Sequence, residues 1–312
     1  MPSLAVIIVT WNCRDCVRQC LESLRENLPK GTRIIVVDNA SEDGTAAMIR
    51  GDFPGVVLTE QTENLGFGKA NNLAFQSLDT DYVLLLNPDT VLSPRSAQIL
   101  LEHLERNPRA GLAAPLIVDM EGLPAETVFP FPGLWQYWWN HSLILPMRNR
   151  LSRLFPHKRR LQERPSKVGW AMGAALMIRR AAIEGGPLFD EAFFLYSEDA
   201  DLCRRMSLKG WERHYVPKAV VEHRHRGSSI RSRARTIFHL FHSMDLYYRR
   251  HKGRLSRFFL RLSITTDMLL RIILLRILPS GNHVENIERQ KGYSKVLKVM
   301  NPFSRNSDGS EH

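Results

Sequence analysis

Apolar runs recur through the first third of the chain, and between them the apolar positions fall into helical spacing. Leu4–Val9, Arg33–Val37 and Val56–Leu58 read as strands. Asp81–Leu86 carries an unbroken apolar run, the pattern of a strand buried on both faces. It stops at Asn87-Pro88, since proline lacks an amide donor and restricts the residue before it. Cys16 to about Asn27 has Val17, Leu21, Leu24 and Leu28 on one helical face, ended by Pro29-Lys30-Gly31. Ser41–Thr45 reads as a turn and helix cap. Further helices are expected from Asn64–Gly68 through Asn71, Asn72 and Phe75, and from Ser93 to about Arg106. This alternation predicts a mostly parallel, doubly wound α/β domain.

Beyond it, Phe129–Trp139 is dense in aromatics and proline and is expected to be an irregular excursion. Its Trp135, Trp138 and Trp139 are read first as local packing, with a lipid-facing surface as the alternative. Order returns over Val168–Arg179. A helix after the acidic group at Glu198 ends near Gly210-Trp211, and Val216–Glu222 is a further strand.

The strand exits carry the candidate chemistry. Thr10 and Asn12, then Asp38, then Asn87 and Asp89 all fall at carboxyl ends of strands, the edge where open α/β sheets bind ligands. Asp38 is suited to accept hydrogen bonds from ribose hydroxyls or a base. Asn87 and Asp89 can share a hard cation such as Mg²⁺ or Mn²⁺, although Asn-Pro-Asp is also ordinary turn chemistry. Gly66-x-Gly68 does not make a dinucleotide fingerprint, because Asn71 stands where the third glycine belongs. Small residues over Gly169–Ala175 permit close approach by a backbone or a substrate. Glu198, Asp199 and Asp201 repel one another unless a cation or a proton-transfer role holds them. His223 can ligate a metal or donate to phosphate, and Arg224 and Arg226 suit a diphosphate.

The formal net charge is +11, with much of the excess in 148–167 and 224–257, so an acidic partner is expected. Nucleic acid is disfavoured because no recognised motif accompanies the charge. No secretory leader is read, and four cysteines in a chain of 312 residues suggest a reducing compartment. Cys13, Cys16 and Cys20 line one helical face and are read as structural. Over Arg257–Leu278, Arg261, Asp267, Arg271 and Arg276 argue against a membrane span. The alternatives are a helix in the membrane interface with its arginines at anionic headgroups, or one packed on the main domain. Asn301–His312 is polar and expected to be disordered.

Six segments in order then resemble glycosyltransferase family 2, of the GT-A fold, nearest to rhamnosyltransferase-type enzymes of bacterial surface polysaccharides. They are Val6–Asn12, Val36–Ser41, Asn64–Gly68, Asn87-Pro88-Asp89, Phe194–Asp199 and the His-Gly-Ser stretch from His223. The resemblance implies that Thr10, Asn12, Asp38 and Asn64, with Gly66 and Asn87, hold the nucleotide. It implies a divalent cation at Asp89, helped by Asn87 and His223, with Asp199 as general base and Glu198 beside it. Trp170, Gly173 and Glu198 would face the acceptor. The implied reaction is inverting transfer of one sugar, with dTDP-rhamnose as donor and UDP- or GDP-sugars left open. The acceptor would be a lipid-linked or cell-surface glycan, a polyprenyl-diphosphate-linked one being met at the cytoplasmic leaflet of the membrane. Asn87 departs from the acidic first position of the metal motif, and the Gln-x-x-Arg-Trp motif of processive relatives is not found. The expected organisation is a catalytic domain over 1–230, with a nucleotide half to about 115, a helical extension over 231–300 and a tail over 301–312. The rival reading is a non-catalytic nucleotide-sugar or glycan-binding scaffold on the same fold.

Overall fold

The computed structural model describes residues 2–141, 164–224, 233–277, 283–300 and 302. The basic run over 148–163, the Gly-Ser-Ser part of the His223 stretch, Arg226 and most of the expected tail lie outside the described residues. The chain divides into two compact units. One comprises Met1–Phe131, Arg159–Phe194 and Glu198–Arg226; the other comprises Pro132–Lys158, Leu195–Ser197 and Gly227–His312.

The first unit is built on a nine-stranded sheet. Strands β1 (Leu4–Thr10), β2 (Arg33–Asp38), β3 (Val57–Glu60) and β4 (Tyr82–Leu86) alternate with helices α1 (Arg14–Asn27), α2 (Thr45–Asp52) and α3 (Phe67–Gln76). β1 lies between β2 and β4, and all these pairings are parallel, as the alternation predicts. After Pro88 come β5 (Thr90–Leu92), α4 (Ser96–Arg106) and β6 (Ala110–Val118). β7 (Val128–Phe129), β8 (Ser166–Lys167), β9 (Trp170–Ala171) and β10 (Ala175–Arg179) follow, while α5 (Leu134–His141), between β7 and β8 in the chain, belongs to the second unit. The unit closes with α6 (Glu198–Leu208) and β11 (Glu212–His223). The strand order is β3-β2-β1-β4-β10-β6-β11-β5, with β8 pairing β11.

The sheet is mixed. β10 runs antiparallel between β4 and β6, whereas β11 returns parallel to β6. The register of β11 on β6 slips between Val216 and Val220, around Pro217, which cannot donate to the ladder. β6 is the strand that apolar periodicity misses: Ala110-Gly111-Leu112-Ala113-Ala114-Pro115 is poor in β-branched residues, yet it is buried on both faces. Two apolar clusters, one on each face of the sheet, form the core. One gathers Val6, Ile8, Leu84 and Met177 under α1 and α4; the other gathers Ile7, Val83, Leu85 and Phe189 under α3 and α6.

The segment expected to be irregular contains β7 and α5. Tyr137 is the buried member of α5, while Trp135 is 71% and Trp138 49% exposed, so local packing does not account for these two tryptophans. Three further helices, α7 (Arg233–His251), α8 (Arg254–Ile277) and α9 (His283–Val299), belong to the second unit. Gly292 lets α9 approach α7, since a Cβ there would lie 3.1 Å from Ala234 Cα and from Ile237 Cβ. The buried Asp245 accepts paired hydrogen bonds from Arg257 and Arg261 at 2.6–2.9 Å. Arg271 pairs with Asp267. Of the charges noted along this helix, Arg276 alone is exposed, which corrects the expectation that its arginines face headgroups. They turn inward because two buried aspartates need counter-charges.

Burial opposes ionisation of Asp245, but the two guanidinium groups outweigh it and hold its carboxyl below the usual range. The pair therefore contributes stability above the carboxylate's unfolded pKa and loses it as pH falls through the lower folded value. Replacing Asp245 by alanine leaves Arg261 buried without its partner. The expected loss is about 3–5 kcal/mol in urea unfolding at neutral pH, shrinking in acid. An unchanged midpoint would deny the pair this role.

Candidate active site at the carboxyl edge of the sheet

Parallel pairing sets Thr10 opposite Asp38 at the ends of β1 and β2. The loops beyond them interlock. Asn12 N donates to Ser41 Oγ at 2.8 Å, Ser41 Oγ donates to Asp38 Oδ1, and Glu42 N donates to Asn12 Oδ1 at 2.8 Å. Asn12 and Ala40 both hold left-handed backbone, a strained state retained where surrounding bonds over-determine it. Asp38 is buried, and that burial raises its carboxyl above the ordinary range despite the Ser41 hydrogen bonds. Thr10 Oγ1 is buried with no hydrogen-bond partner among the described residues.

Asn39 was not singled out from sequence, yet it fastens two loops together. Its Oδ1 accepts from Leu65 N at 2.9 Å, and its Nδ2 donates to Asn64 Oδ1 at 3.0 Å. Asn64 Oδ1 also accepts from Gly66 N at 2.9 Å. Gly66 has φ +80°, and a Cβ there would lie 3.0 Å from Phe194 O and 3.1 Å from its ring. Asn72 of α3 is similar in kind: its amide donates to Phe189 O and accepts from Phe189 N, both at 2.9 Å, anchoring the approach to α6. Its signal in the sequence was only an asparagine inside an apolar helix pattern.

The metal candidates meet through a strand pairing. β5 lies antiparallel to the end of β11, with His223 opposite Thr90. His223 Nε2 therefore sits 3.0 Å from Asp89 Oδ1, and Arg224 N donates to Asp89 O at 2.8 Å. Among the described residues no group of three His, Cys, Asp or Glu side chains could hold a metal ion. Asp89 and His223 still offer one carboxylate oxygen and one imidazole nitrogen, with Asn87 in the same turn. This donor set fits a divalent cation whose other positions are filled by ligand oxygens.

The acidic candidates connect to the same corner through β10. Asn87 N donates to Ala174 O at 2.9 Å, and the adjacent Gly173 N donates to Asp199 Oδ2 at 3.1 Å. Asp199 Oδ1 also accepts from Ala200 N at 2.8 Å. Burial raises the Asp199 carboxyl, opposed by these amide bonds. Burial and then the neighbouring Asp199 charge raise Glu198, whose Oε2 has no hydrogen-bond partner among the described residues. Asp201 is tied to Arg205 at 2.7 Å. Two successive left-handed residues, Tyr196 and Ser197, precede α6. Trp170 stacks on Phe129 with ring centroids 4.8 Å apart, so one of its faces is taken.

The arrangement is a strand-edge site with loops clasped by Asn39, a carboxylate–imidazole pair and a raised carboxylate held by an amide. Residues 5–186 match the family described as Glycosyl transferase family 2, more than half of the chain. The chain belongs to that family. The transferase is 33% identical over 233 residues to the N-acetylglucosaminyl-diphospho-decaprenol L-rhamnosyltransferase of Mycobacterium tuberculosis, covering 70% of this chain and 75% of that one. It is 28% identical over 220 residues to rhamnosyltransferase WbbL of Escherichia coli, covering 68% and 80%. Its fold resembles the mannosyltransferase PcManGT of Pyrobaculum calidifontis in complex with GDP-Man and Mn²⁺, with TM-score 0.55 and 17% identity, covering 98% of this chain and 88% of that one. It also resembles GalNAc-T7 with UDP, GalNAc and Mn²⁺, at TM-score 0.57 and 15% identity, covering 96% of this chain but 56% of that longer one. The transferase thus has the GT-A fold of enzymes crystallised with a divalent cation.

Gly66 offers a direct test of the loop geometry. Both Gly66→Ala and Gly31→Ala meet a left-handed backbone, but Gly31 has open space around it. Alanine at Gly31 is expected to cost about 1 kcal/mol in urea unfolding, and alanine at Gly66 clearly more, toward about 3 kcal/mol. Equal losses would mean that Phe194 gives way freely.

Proposed function

We propose that this transferase moves one rhamnosyl residue from a nucleoside-diphosphate donor to a polyprenyl-diphosphate-linked N-acetylglucosamine acceptor, with inversion. The observation that carries the reading is the short bridge Asn87–Ala174–Gly173–Asp199, which ties the candidate cation corner to a carboxylate poised as a base. The likeness to the mycobacterial and E. coli rhamnosyltransferases supports rhamnose as the sugar and a lipid-linked acceptor. dTDP-rhamnose is the donor we assign, and the cytoplasmic face of the membrane is the site we assign to transfer. Residues 1–230 would carry catalysis and 231–300 a helical extension.

In this reading Asp38 accepts hydrogen bonds from the nucleoside, and Thr10, Asn12, Asn64, Gly66 and Asn87 line its seat. Asp89 and His223, helped by Asn87, would hold Mn²⁺ or Mg²⁺. When bound, that ion neutralises charge on the leaving diphosphate. Gly173 N–H orients Asp199, which takes the proton of the acceptor hydroxyl as its oxygen bonds to the anomeric carbon and the bond to the diphosphate breaks. Glu198, Gly173 and Trp170 would bound the acceptor.

Asp199→Asn keeps the shape but not the basicity. It is expected to bind nucleotide as the native chain does while transfer falls about 10²–10⁴-fold. In the native chain kcat/KM should rise with pH along a limb lying above the ordinary carboxylate range, because burial holds Asp199 up and only its ionised form accepts a proton. Undiminished transfer by Asp199→Asn would remove it as the base.

Nucleotide choice and cation dependence are read together by thermal unfolding with dTDP, UDP and GDP, each with and without Mn²⁺. dTDP with Mn²⁺ should raise Tm most, because a ligand bound to the native state stabilises it. Asp89→Ala should abolish the Mn²⁺-dependent part. A rise that survives this change would place the cation elsewhere.

A further inference from the structure

The long helix α8 leaves an apolar face uncovered. Leu255, Phe259, Leu262, Leu269, Ile273 and Ile277 are all exposed, and at 100° per residue they fall within one arc along the helix, opposite buried Leu260, Ile264 and Met268. The hydroxyls on or beside that arc are satisfied within the helix: Thr266 donates to Leu262 O at 3.0 Å and Ser263 to Phe259 O at 2.7 Å. Trp138 stands alongside, its Nε1 donating to Ser263 Oγ at 3.1 Å, and both Trp138 and Trp135 are exposed. An apolar stripe with hydroxyls turned back on the backbone and flanking tryptophans is the composition of a lipid-facing surface.

The charge carried by these helices selects the occupant. In the described parts of α7, α8 and α9 every exposed charged side chain is a cation, including Arg249, Arg250, Arg254, Arg276 and Lys291. Of the carboxylates in these helices, Asp245 and Asp267 are buried and paired with arginine, and Glu285 and Glu288 are half-buried and also paired. A second copy of the chain would bring one set of exposed cations against another, whereas an anionic bilayer complements them. No helix among the described residues is long and apolar enough to cross a membrane. We propose that the outward face of α8, with Trp135 and Trp138 beside it, lies in the headgroup region of an anionic bilayer as an in-plane docking surface. This deepens the proposed lipid-linked acceptor and rests on that reading for a bilayer as the setting.

Vesicle co-sedimentation of the full chain tests it without donor or acceptor, so its outcome is separate from that of the transfer assay. The native chain should bind phosphatidylcholine vesicles containing phosphatidylglycerol, and bind pure phosphatidylcholine at least about tenfold more weakly. The double change Leu262→Ser with Ile273→Ser should lower binding to the mixed vesicles about tenfold, with Tm and transfer to a short-chain soluble acceptor unchanged. A measurement on the unaltered chain stands beside this: brominated acyl chains in the mixed vesicles should quench tryptophan fluorescence. Equal binding by the double variant, equal binding to neutral vesicles, or no quenching would overturn the proposal. So would a native dimer in light scattering that the double variant converts to monomer, since the stripe would then be a contact between copies.

Discussion

The site depends on how the backbone is used on either side of Pro88. β4 satisfies its amides and carbonyls against β1 on one side and the antiparallel β10 on the other. Proline then ends the strand, and the chain re-enters the sheet as β5 at the far edge, against β11. Because each buried backbone group must find a partner, these two pairings position everything between them. The turn carrying Asn87 and Asp89 is thereby held next to Ala174 by one strand and next to His223 by another. No side-chain preference alone would bring residues so far apart in sequence to one corner.

Buried carboxylates are handled in two opposite ways. Asp245 receives two guanidinium groups and is held ionised, an arrangement that secures one helix packing. Among the described residues Glu198 and Asp199 receive backbone amides at most and no cationic side chain, and burial holds both toward their protonated forms. The first is a structural use of charge. The second keeps a carboxylate basic enough to accept a proton, which is what sugar transfer to a hydroxyl requires. The left-handed residues before α6 and at the ends of the first two strands sit in the same neighbourhoods as this chemistry.

The strands β1, β2 and β4, their parallel order, and the exits at Thr10, Asp38 and Asp89 were legible because each apolar run ends in a polar residue with its own turn chemistry. β6 was not legible, since its alanines, Gly111 and Pro115 carry no strand preference and are buried only because β10 and β11 flank them. α5 was hidden by the prolines before it. Asn39 and Asn72 read as ordinary polar residues, and their value as loop fasteners lies in partners 25 or more positions away. The arginines of α8 were legible as charges but not as a direction, because the buried Asp245 that draws two of them inward lies on another helix.

By itself the amino-acid order determined the local periods, the places where strands stop, the family motifs and the net positive charge. These follow from side-chain hydrophobicity, proline and glycine geometry, and composition, all of which act over a few residues. Only the tertiary structure decided that Asp89 meets His223, that Gly173 holds Asp199, and that α8 turns Arg261 in and Leu262 and Leu269 out. Those outcomes arise from long-range strand register and from pairing of buried charges, and both are set by partners that adjacent sequence does not name.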